Sequence, residues 1–275
     1  MPLSIRTNVA SLSAVASLTK TQSSLSKSIG RISTGLKHSG FGDGASEMAF
    51  GQRLQSDQAS LKVAMSNTSQ GISLLSVGED ALNQVYSSLT KMREIAVASS
   101  NGSASANDRT VYKAEFDALV NEISRVLNTT TFNGISVLHG AAATSSSIVL
   151  QVGVGTKNVL TLARSGFSAS TGALGVASLN VSTAAGAAVT AIDAALTTIN
   201  SKRANLGVAQ TKLENVLSVA QAQNEAYSTA VSSILDVDYA EETANMTRFQ
   251  IMQQAGVAAL GQARSIPQSI LSLLG

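Results

Sequence analysis

Apolar residues recur at alternating spacings of three and four along the stretch from Val189 to Ile234. The stretch contains no proline and a single glycine, Gly207. An apolar repeat of about 3.5 residues predicts a helix that lies along another helix. At about 1.5 Å per residue this helix is roughly 70 Å long, which is more than a small compact domain needs. The chain therefore has to contain a second helix of similar length.

The second long helix is predicted from Ala45 to Ser99, where the same spacing recurs. Asn101-Gly102 ends it, because this dipeptide readily adopts positive φ. The two helices are expected to pair as a long antiparallel coiled-coil rod in a mainly α fold. We expect the seam of the rod to be formed by Ile72, Leu75, Leu82, Leu89, Leu196, Ile199, Leu206, Leu213 and Leu217.

Composition favours a helical protein that assembles. Hydrophobic residues make up 44% of the 275 residues, but aromatic residues only 4% and charged residues 13%. Small aliphatic side chains allow helices to pack closely, and a surface poor in charge suits association better than a monomer. The net charge of +2 is dispersed, so nucleic-acid binding is not expected. No apolar run is long enough to span a membrane or to form the core of a cleaved Sec signal.

The two ends of the chain are predicted to be amphipathic helices that pair. The first runs from Leu3 to Leu36 with one apolar stripe. From Asp236 onward the apolar face is broader and continues to Leu274. Two paired helices cover only part of such a face, so we expect other copies of the chain to cover the rest.

The middle of the chain predicts a third helix and two small hairpins. Ser105 and Asp108 form a capping-box pattern at a helix start. Asn133-Gly134 predicts a tight hairpin, and strands near 148–154 and 159–162 predict a second. The aperiodic segment 165–188 is expected to be a surface loop. The glycines of 39–44 suit a joint better than a phosphate cradle, because no strand precedes them and no Gly-Lys-Ser/Thr follows.

Residue patterns typical of enzymes are not found in this sequence. It has no Cys, and its two histidines, His38 and His139, have no carboxylate or second histidine at metal-ligand spacing, so we interpret both as loop residues. Acidic pairs such as Glu79-Asp80 are interpreted as solvated helix faces. We therefore expect no cofactor, no metal and no catalytic site.

Eight short stretches closely resemble bacterial flagellins, in collinear order over about residues 1–140 and 187–275. They are Ile5–Leu12, Arg31–Leu36, Asn67–Leu74, Arg93–Val97, Asn128–Gly134, Arg203–Gly207, Gln253–Gly256 and Pro267–Leu274. The sequence differs from the family at 39–46, where many flagellins carry Lys-Asp-Asp-Ala-Ala-Gly and only Asp43 matches. The family's large, variable outer domains are missing, because only a short segment separates the two matched regions.

The resemblance implies a self-assembling structural subunit of the extracellular flagellar filament. It assigns residues 1–44 to an inner-tube helix and joint, 45–188 to the outer-tube rod helices and hairpins, 189–234 to the return helix of the rod, and 235–275 to the second inner-tube helix. The polymerisation residues of the inner tube would be Leu12, Leu25, Ile29, Ile251, Leu260, Ile270 and Leu274.

The resemblance also implies partners: a type III export channel with its chaperone, a cap protein and hook-junction proteins. A host innate immune receptor binds many flagellins through an Arg, a Leu and a Glu that match Lys91, Ile95 and Glu115 here, so two of the three are altered. Two alternatives remain open from the sequence. One is a hook–filament junction protein, and the other is a secreted helical translocator or toxin, which would disrupt liposomes instead of forming filaments.

Overall fold

The computed structural model describes residues 8–38, 40–138 and 147–274, except for the side chains of Phe41 and residues 266–274. Most of the described residues are helical, as the sequence predicts. The helices are α1 (Val9–Thr34), α2 (Ala45–Ser99), α3 (Ala106–Thr129), α4 (Ala185–Leu235) and α5 (Tyr239–Leu274). The strands are β1 (Thr131–Phe132), β2 (Ile135–Ser136), β3 (Ser147–Gln151) and β4 (Val159–Ala163), and short 3-10 turns span Phe41–Asp43 and Arg164–Gly166.

The chain forms two compact units, and α2 and α4 contribute residues to both. The first unit consists of Met1–Gln58 and Ala226–Gly275, and the second of Ala59–Glu225. We call them the terminal unit and the rod unit.

Helices α2 and α4 run antiparallel in the rod unit. A methyl group placed on Gly71 would lie 3.3 Å from Leu213 Cδ1, and one on Gly78 would lie 3.6 Å from Leu206 Cδ1. Farther along α2, Arg93 Nε donates to Asp193 Oδ1 at 2.6 Å. Residues farther along α2 thus contact residues of α4 with lower sequence numbers. The prediction of an antiparallel coiled coil is confirmed.

Helix α3 begins at the predicted capping box and packs against the apolar core that α2 and α4 share. The Asp108 backbone N–H donates to Ser105 Oγ at 3.2 Å, and the Ser105 backbone N–H donates to Asp108 Oδ2 at 3.0 Å. Phe116 and Ile123 of α3 are fully buried. Two N–H groups that a helix start leaves without intrahelical partners are thus satisfied reciprocally.

Both predicted hairpins form. Asn133 and Gly134 have φ of 49° and 76°, the pair of positive values that a two-residue type I′ turn requires. In the second hairpin, β3 pairs antiparallel with β4 from Ser147↔Ala163 to Gln151↔Val159. Strand β3 ends at Gln151, earlier than the predicted end at 154, because the chain turns at Gly155, which has φ 93°. The Gln151 side-chain amide stabilises this turn by donating to the carbonyls of Gly153 and Gly155 at 2.8 and 2.6 Å.

The prediction of a surface loop at 165–188 is wrong for the apolar residues of that segment. Phe167, Leu174, Val176 and Val181 are buried in the same cluster as the α2 and α4 seam. The Ser99 hydroxyl donates to the Val181 carbonyl at 2.6 Å. The segment therefore covers part of the rod core, through single apolar residues that have no helical or strand period.

Helices α1 and α5 pair antiparallel in the terminal unit, as predicted. The Asn8 side-chain amide donates to the Ala263 carbonyl at 2.9 Å, and the side chains of Gln22 and Gln253 are hydrogen-bonded to each other. Asn8 also caps α1 by accepting from the Ser11 backbone N–H at 3.0 Å. The other end of α1 stops at Gly35, which has φ 72°.

Candidate assembly surface

The α1–α5 pair exposes large apolar side chains on both helices. We call this set the exposed apolar face. Its members are Val9 (68% exposed), Leu12 (61%), Val15 (42%), Ile29 (49%), Ile251 (61%), Met252 (40%) and Val257 (56%). Isolated exposed apolar residues are ordinary on a protein surface, but several on one helix pair mark an interaction surface.

The predicted polymerisation residues occupy three different environments. Leu12, Ile29 and Ile251 belong to the exposed apolar face. Leu25 is only 6% exposed and is therefore buried within the single chain. Leu260 is half-buried. The side chains of Ile270 and Leu274 lie outside the described residues.

A shallow groove separates α1 from α5 near the middle of the pair. Its volume is about 470 Å³, and it is lined by Leu18, Thr19, Gln22, Ser23, Ser26, Gln253 and Val257. The helices come close beside it, because a methyl group on Gly256 would lie 3.3 Å from Leu18 Cδ1. Small polar residues beside exposed Val257 give the groove a mixed polar and apolar lining.

The predicted seam residues of the rod lie largely inside the rod core. Leu75, Leu82, Leu89, Ile199, Leu206 and Leu213 are buried. Ile72 and Leu196 are partly buried and pack against the same cluster, while Leu217 is half-buried. A charged residue of α4 also contacts α2. Arg203 Cζ lies 5.8 Å from the centre of the Tyr86 ring, which is a cation–π distance.

The three residues matched to the receptor-binding patch differ in exposure. Lys91 on α2 and Glu115 on α3 are exposed. Ile95, one turn beyond Lys91, is only 9% exposed and belongs to the rod core. Nearby, the hydrogen bond to Asp193 raises the pKa of Arg93.

A cluster of charged residues surrounds the turn between α1 and α2 in the terminal unit. Arg31 donates to Asp43 at 2.6 Å, Lys27 Nζ lies 3.5 Å from the same carboxylate, and Arg31 lies 3.8 Å from buried Glu242 of α5. The Arg31 hydrogen bond holds the pKa of Asp43 below its usual value, and the same contact raises the pKa of Arg31. Asp43 is thus the carboxylate that both Lys27 and Arg31 contact.

His38 in this turn is buried, although it lies in a loop as predicted. Its Nδ1 lies 2.5 Å from the Asp43 carbonyl oxygen, and its Nε2 contacts the Glu47 carboxylate. No local spacing in the sequence predicts the contact with Glu47, which depends on the 3-10 turn Phe41–Asp43 folding back.

Within residues 8–38, 40–138 and 147–274, no group of three or more His, Cys, Asp or Glu side chains could hold a metal ion. Among the helices of this described part, none has the length and apolarity needed to cross a membrane.

Comparison with known proteins identifies the family. The family model described as the bacterial flagellin N-terminal helical region matches residues 5–143, and the C-terminal helical region matches residues 189–274. Flagellin of Halalkalibacterium halodurans is 36% identical over 90% of this chain and 91% of its own length. Flagellin of Listeria innocua is 32% identical over 99% of both chains.

A solved structure agrees with the sequence relatives. The crystal structure of Bacillus cereus flagellin is 29% identical and superposes with a TM-score of 0.51, covering 60% of this chain and 94% of that one. Flagellins are structural proteins. The chain belongs to the bacterial flagellin family and is a structural subunit that self-assembles into the extracellular flagellar filament.

Proposed function

We propose that residues 1–44 and 235–275 form the inner tube of the filament, and that 45–188 together with 189–234 form its outer tube. The observation that carries this assignment is the exposed apolar face of the α1–α5 pair, with Leu12 and Ile251 each 61% exposed. The rod unit differs, because most of its predicted seam is buried within one chain. Large apolar side chains that a helix pair leaves in water favour neighbouring subunits that cover them.

Within this assignment the polymerisation residues have two roles. Leu12, Ile29 and Ile251 contact neighbouring subunits, since their side chains are exposed in the single chain. Leu25 holds α1 against its own chain, and half-buried Leu260 contributes to both kinds of contact. Ile270 and Leu274 belong to the same proposed set by the family resemblance alone.

The test is a pair of substitutions on α5. Leu260→Asp and Ile251→Asp each place a charge in a tightly packed interface, where even Leu→Ala typically costs about 2–5 kcal/mol. Both variants are expected to form no filaments by electron microscopy after seeding. Their rod units should stay folded, because no seam residue is changed. Ile251→Leu is the matched control and should polymerise normally. Normal filaments from both Asp variants would show that α5 is not at an interface.

We further propose that this chain has the partners that the family resemblance implies and carries out no catalysis of its own. A chaperone would cover the exposed apolar face before export through the flagellar type III channel. A cap protein would guide assembly at the tip, and hook-junction proteins would contact the first subunits. The exposed apolar face supports the need for a chaperone, because uncovered apolar helices aggregate.

A host innate immune receptor would read the rod unit at Lys91 and Glu115, which are exposed. Ile95 would add little direct contact, because only 9% of it is accessible. The exchange of Arg for Lys at position 91 replaces a planar bidentate donor with a compact ammonium group. We expect recognition to persist in weakened form.

A further inference from the structure

The connection between α2 and α3 in the rod unit contains one of the two Asn-Gly pairs of the chain. Asn101 and Gly102 follow the end of α2, and both are exposed. The other pair, Asn133 and Gly134, forms the type I′ turn of the first hairpin. In an Asn-Gly pair the backbone nitrogen of the glycine can reach the side-chain amide carbon of the asparagine, because glycine has no side chain that hinders the approach.

The turn that holds Asn101 does not itself need a glycine. The Ala104 N–H donates to the Asn101 carbonyl at 3.2 Å and closes a four-residue turn. Neither Asn101 nor Gly102 has the positive φ that the sequence suggests for the end of α2. A methyl group on Gly102 would meet no atom within 4 Å. The main effect of the glycine is therefore to leave its own nitrogen accessible.

The side-chain amide of Asn101 is polarised from within the same turn. The Ser103 backbone N–H donates to Asn101 Oδ1 at 3.2 Å. If a nitrogen attacks Asn101 Cγ, negative charge develops on this oxygen, and a donor that already points at it stabilises that charge. The Ser103 N–H thus has the place of a single oxyanion-hole donor.

A guanidinium group lies beside the same asparagine. Arg109 of α3 is half-buried, and its Nη2 donates to the Asn101 carbonyl at 3.3 Å. The Nε of Arg109 is buried and has no hydrogen-bond partner among the described residues. A cation in this position favours both the negative charge that develops during attack and a carboxylate formed at position 101. The carboxylate of neighbouring Asp108 is bound to Ser105 instead.

We propose that Asn101 is a site of spontaneous deamidation in the folded chain, promoted by the Ser103 N–H and the Arg109 guanidinium. The Gly102 nitrogen gives its proton to solvent and forms a bond to Asn101 Cγ. The bond from Cγ to Nδ2 then breaks, and Nδ2 takes up a proton and leaves as ammonia. One water molecule opens the resulting succinimide ring at either carbonyl carbon, which gives aspartate or isoaspartate. No atom is oxidised or reduced.

The first hairpin should protect Asn133 from the same reaction. Closing the ring there requires the Gly134 nitrogen to rotate towards the asparagine side chain. Phe132 pairs with Ile135 directly across the turn, and fully buried Val137 anchors the hairpin, so this rotation is opposed. The two pairs have the same local sequence chemistry, and we expect the fold to make their rates different.

The products change the connection between α2 and α3. Each product adds a carboxylate beside Arg109. Isoaspartate also routes the backbone through the side chain, which inserts a carbon atom between the end of α2 and the capping box of α3. This modification concerns the rod unit and does not depend on the tube assignment.

Mass spectrometry of tryptic peptides from the full-length monomer tests the proposal. The protein is kept in neutral buffer at physiological temperature, and the peptides that contain Asn101 and Asn133 are followed for the mass gain of an amide-to-acid conversion. An isoaspartate-specific methyltransferase identifies the rearranged product. In the folded chain Asn101 should convert several-fold faster than Asn133. In a chain unfolded by urea the two rates should be similar, since both asparagines precede glycine. The same rate ratio in the folded and unfolded chains would overturn the proposal.

Four variants identify the groups that promote the reaction. Gly102→Ala has space for its methyl group and should slow the conversion of Asn101 several-fold by hindering the attacking nitrogen. Arg109→Gln should slow Asn101 and leave Asn133 unchanged, whereas Arg109→Lys restores a cation and should recover most of the rate. Ser103→Ala keeps the backbone N–H and is the matched control with the native rate. An unchanged rate in either Gly102→Ala or Arg109→Gln would overturn the proposal.

Discussion

Gly78 on α2 lies directly beneath Val137, so that a methyl group on Gly78 would come within 2.9 Å of Val137 Cγ1. Val137 follows the first hairpin and is fully buried. One heptad earlier, a methyl group on Gly71 would come within 2.5 Å of Leu150 Cδ1 in the second hairpin. Val137 and Leu150 therefore pack against α2 at glycines, where the absence of a side chain lets them approach the helix backbone.

Gly78→Ala should destabilise the rod unit. Alanine favours a helix over glycine by up to about 1 kcal/mol, but forcing an extra methyl group into a packed core costs about 1–3 kcal/mol. Val137 is fully buried, and its β-branched side chain is stiff at χ1. We expect a net loss of about 1 kcal/mol in the free energy of unfolding, measured by urea titration of the monomer.

Gly207 supplies the matched control for that substitution. It lies within α4, and a methyl group there would meet no atom within 4 Å. Gly207→Ala should therefore raise the free energy of unfolding by up to about 1 kcal/mol. Equal stability of the two variants would show that Val137 does not pack closely enough on Gly78 to exclude a methyl group.

The capping box of α3 should make the rod unit sensitive to acid. The hydrogen bonds from Ser105 to the Asp108 carboxylate lower the pKa of Asp108 in the folded chain. Its stabilising effect is therefore present above the unfolded value, about pH 4, and is lost as the pH falls through the lower folded value. The stability difference between the native chain and Asp108→Asn should shrink in urea titrations as the pH falls below about 4. A difference that stays constant over this range would contradict the role of the carboxylate. Ser105→Ala should cost about 1 kcal/mol at neutral pH.

The ends of the free monomer should be largely unfolded and become helical on assembly. The exposed apolar face of α1 and α5 remains in water until neighbours cover it, so ordering gains its main stabilisation only in the filament. Circular dichroism should show more helix after polymerisation, and limited proteolysis should trim both ends of the monomer. Monomer ends that resist protease would refute this expectation.

Lys91→Arg should strengthen recognition by the host receptor. Restoring the guanidinium fork recovers a bidentate contact, and losing part of a central Arg contact often costs about 1–2 kcal/mol. A receptor-reporter titration of the two monomers should thus shift by about tenfold in half-maximal concentration. An unchanged response would remove Lys91 from the contact.

Periodic elements could be predicted closely from the sequence, and aperiodic contacts could not. Helix α2 has the predicted bounds, and α4 begins at Ala185, a few residues before the predicted start at Val189. The burial of Val176 and Val181 cannot be predicted in this way, because isolated apolar residues among Ser, Gly and Ala have no period that indicates a buried face.

The environments of the terminal residues show the same limit. Leu25 and Ile29 lie one turn apart on one apolar stripe, yet Leu25 is buried in the single chain and Ile29 is 49% exposed. Periodicity predicts which face of a helix is apolar. It does not predict which residues of that face pack against helices of the same chain and which remain exposed for other subunits. The His38 contact with Glu47 likewise depends on a turn geometry that no spacing rule describes.

The bond from Asn8 to the Ala263 carbonyl joins positions 255 residues apart, and this separation has a consequence for the order of folding. During synthesis α1 is made before α2, α3 and α4, and its partner helix α5 is made after them. The terminal unit can close only after nearly the whole chain is free, whereas the Asn133-Gly134 turn and the start of α3 form from neighbouring residues. Contacts of such high sequence separation form slowly. A chain truncated at either end would therefore leave the opposite end without its helical partner.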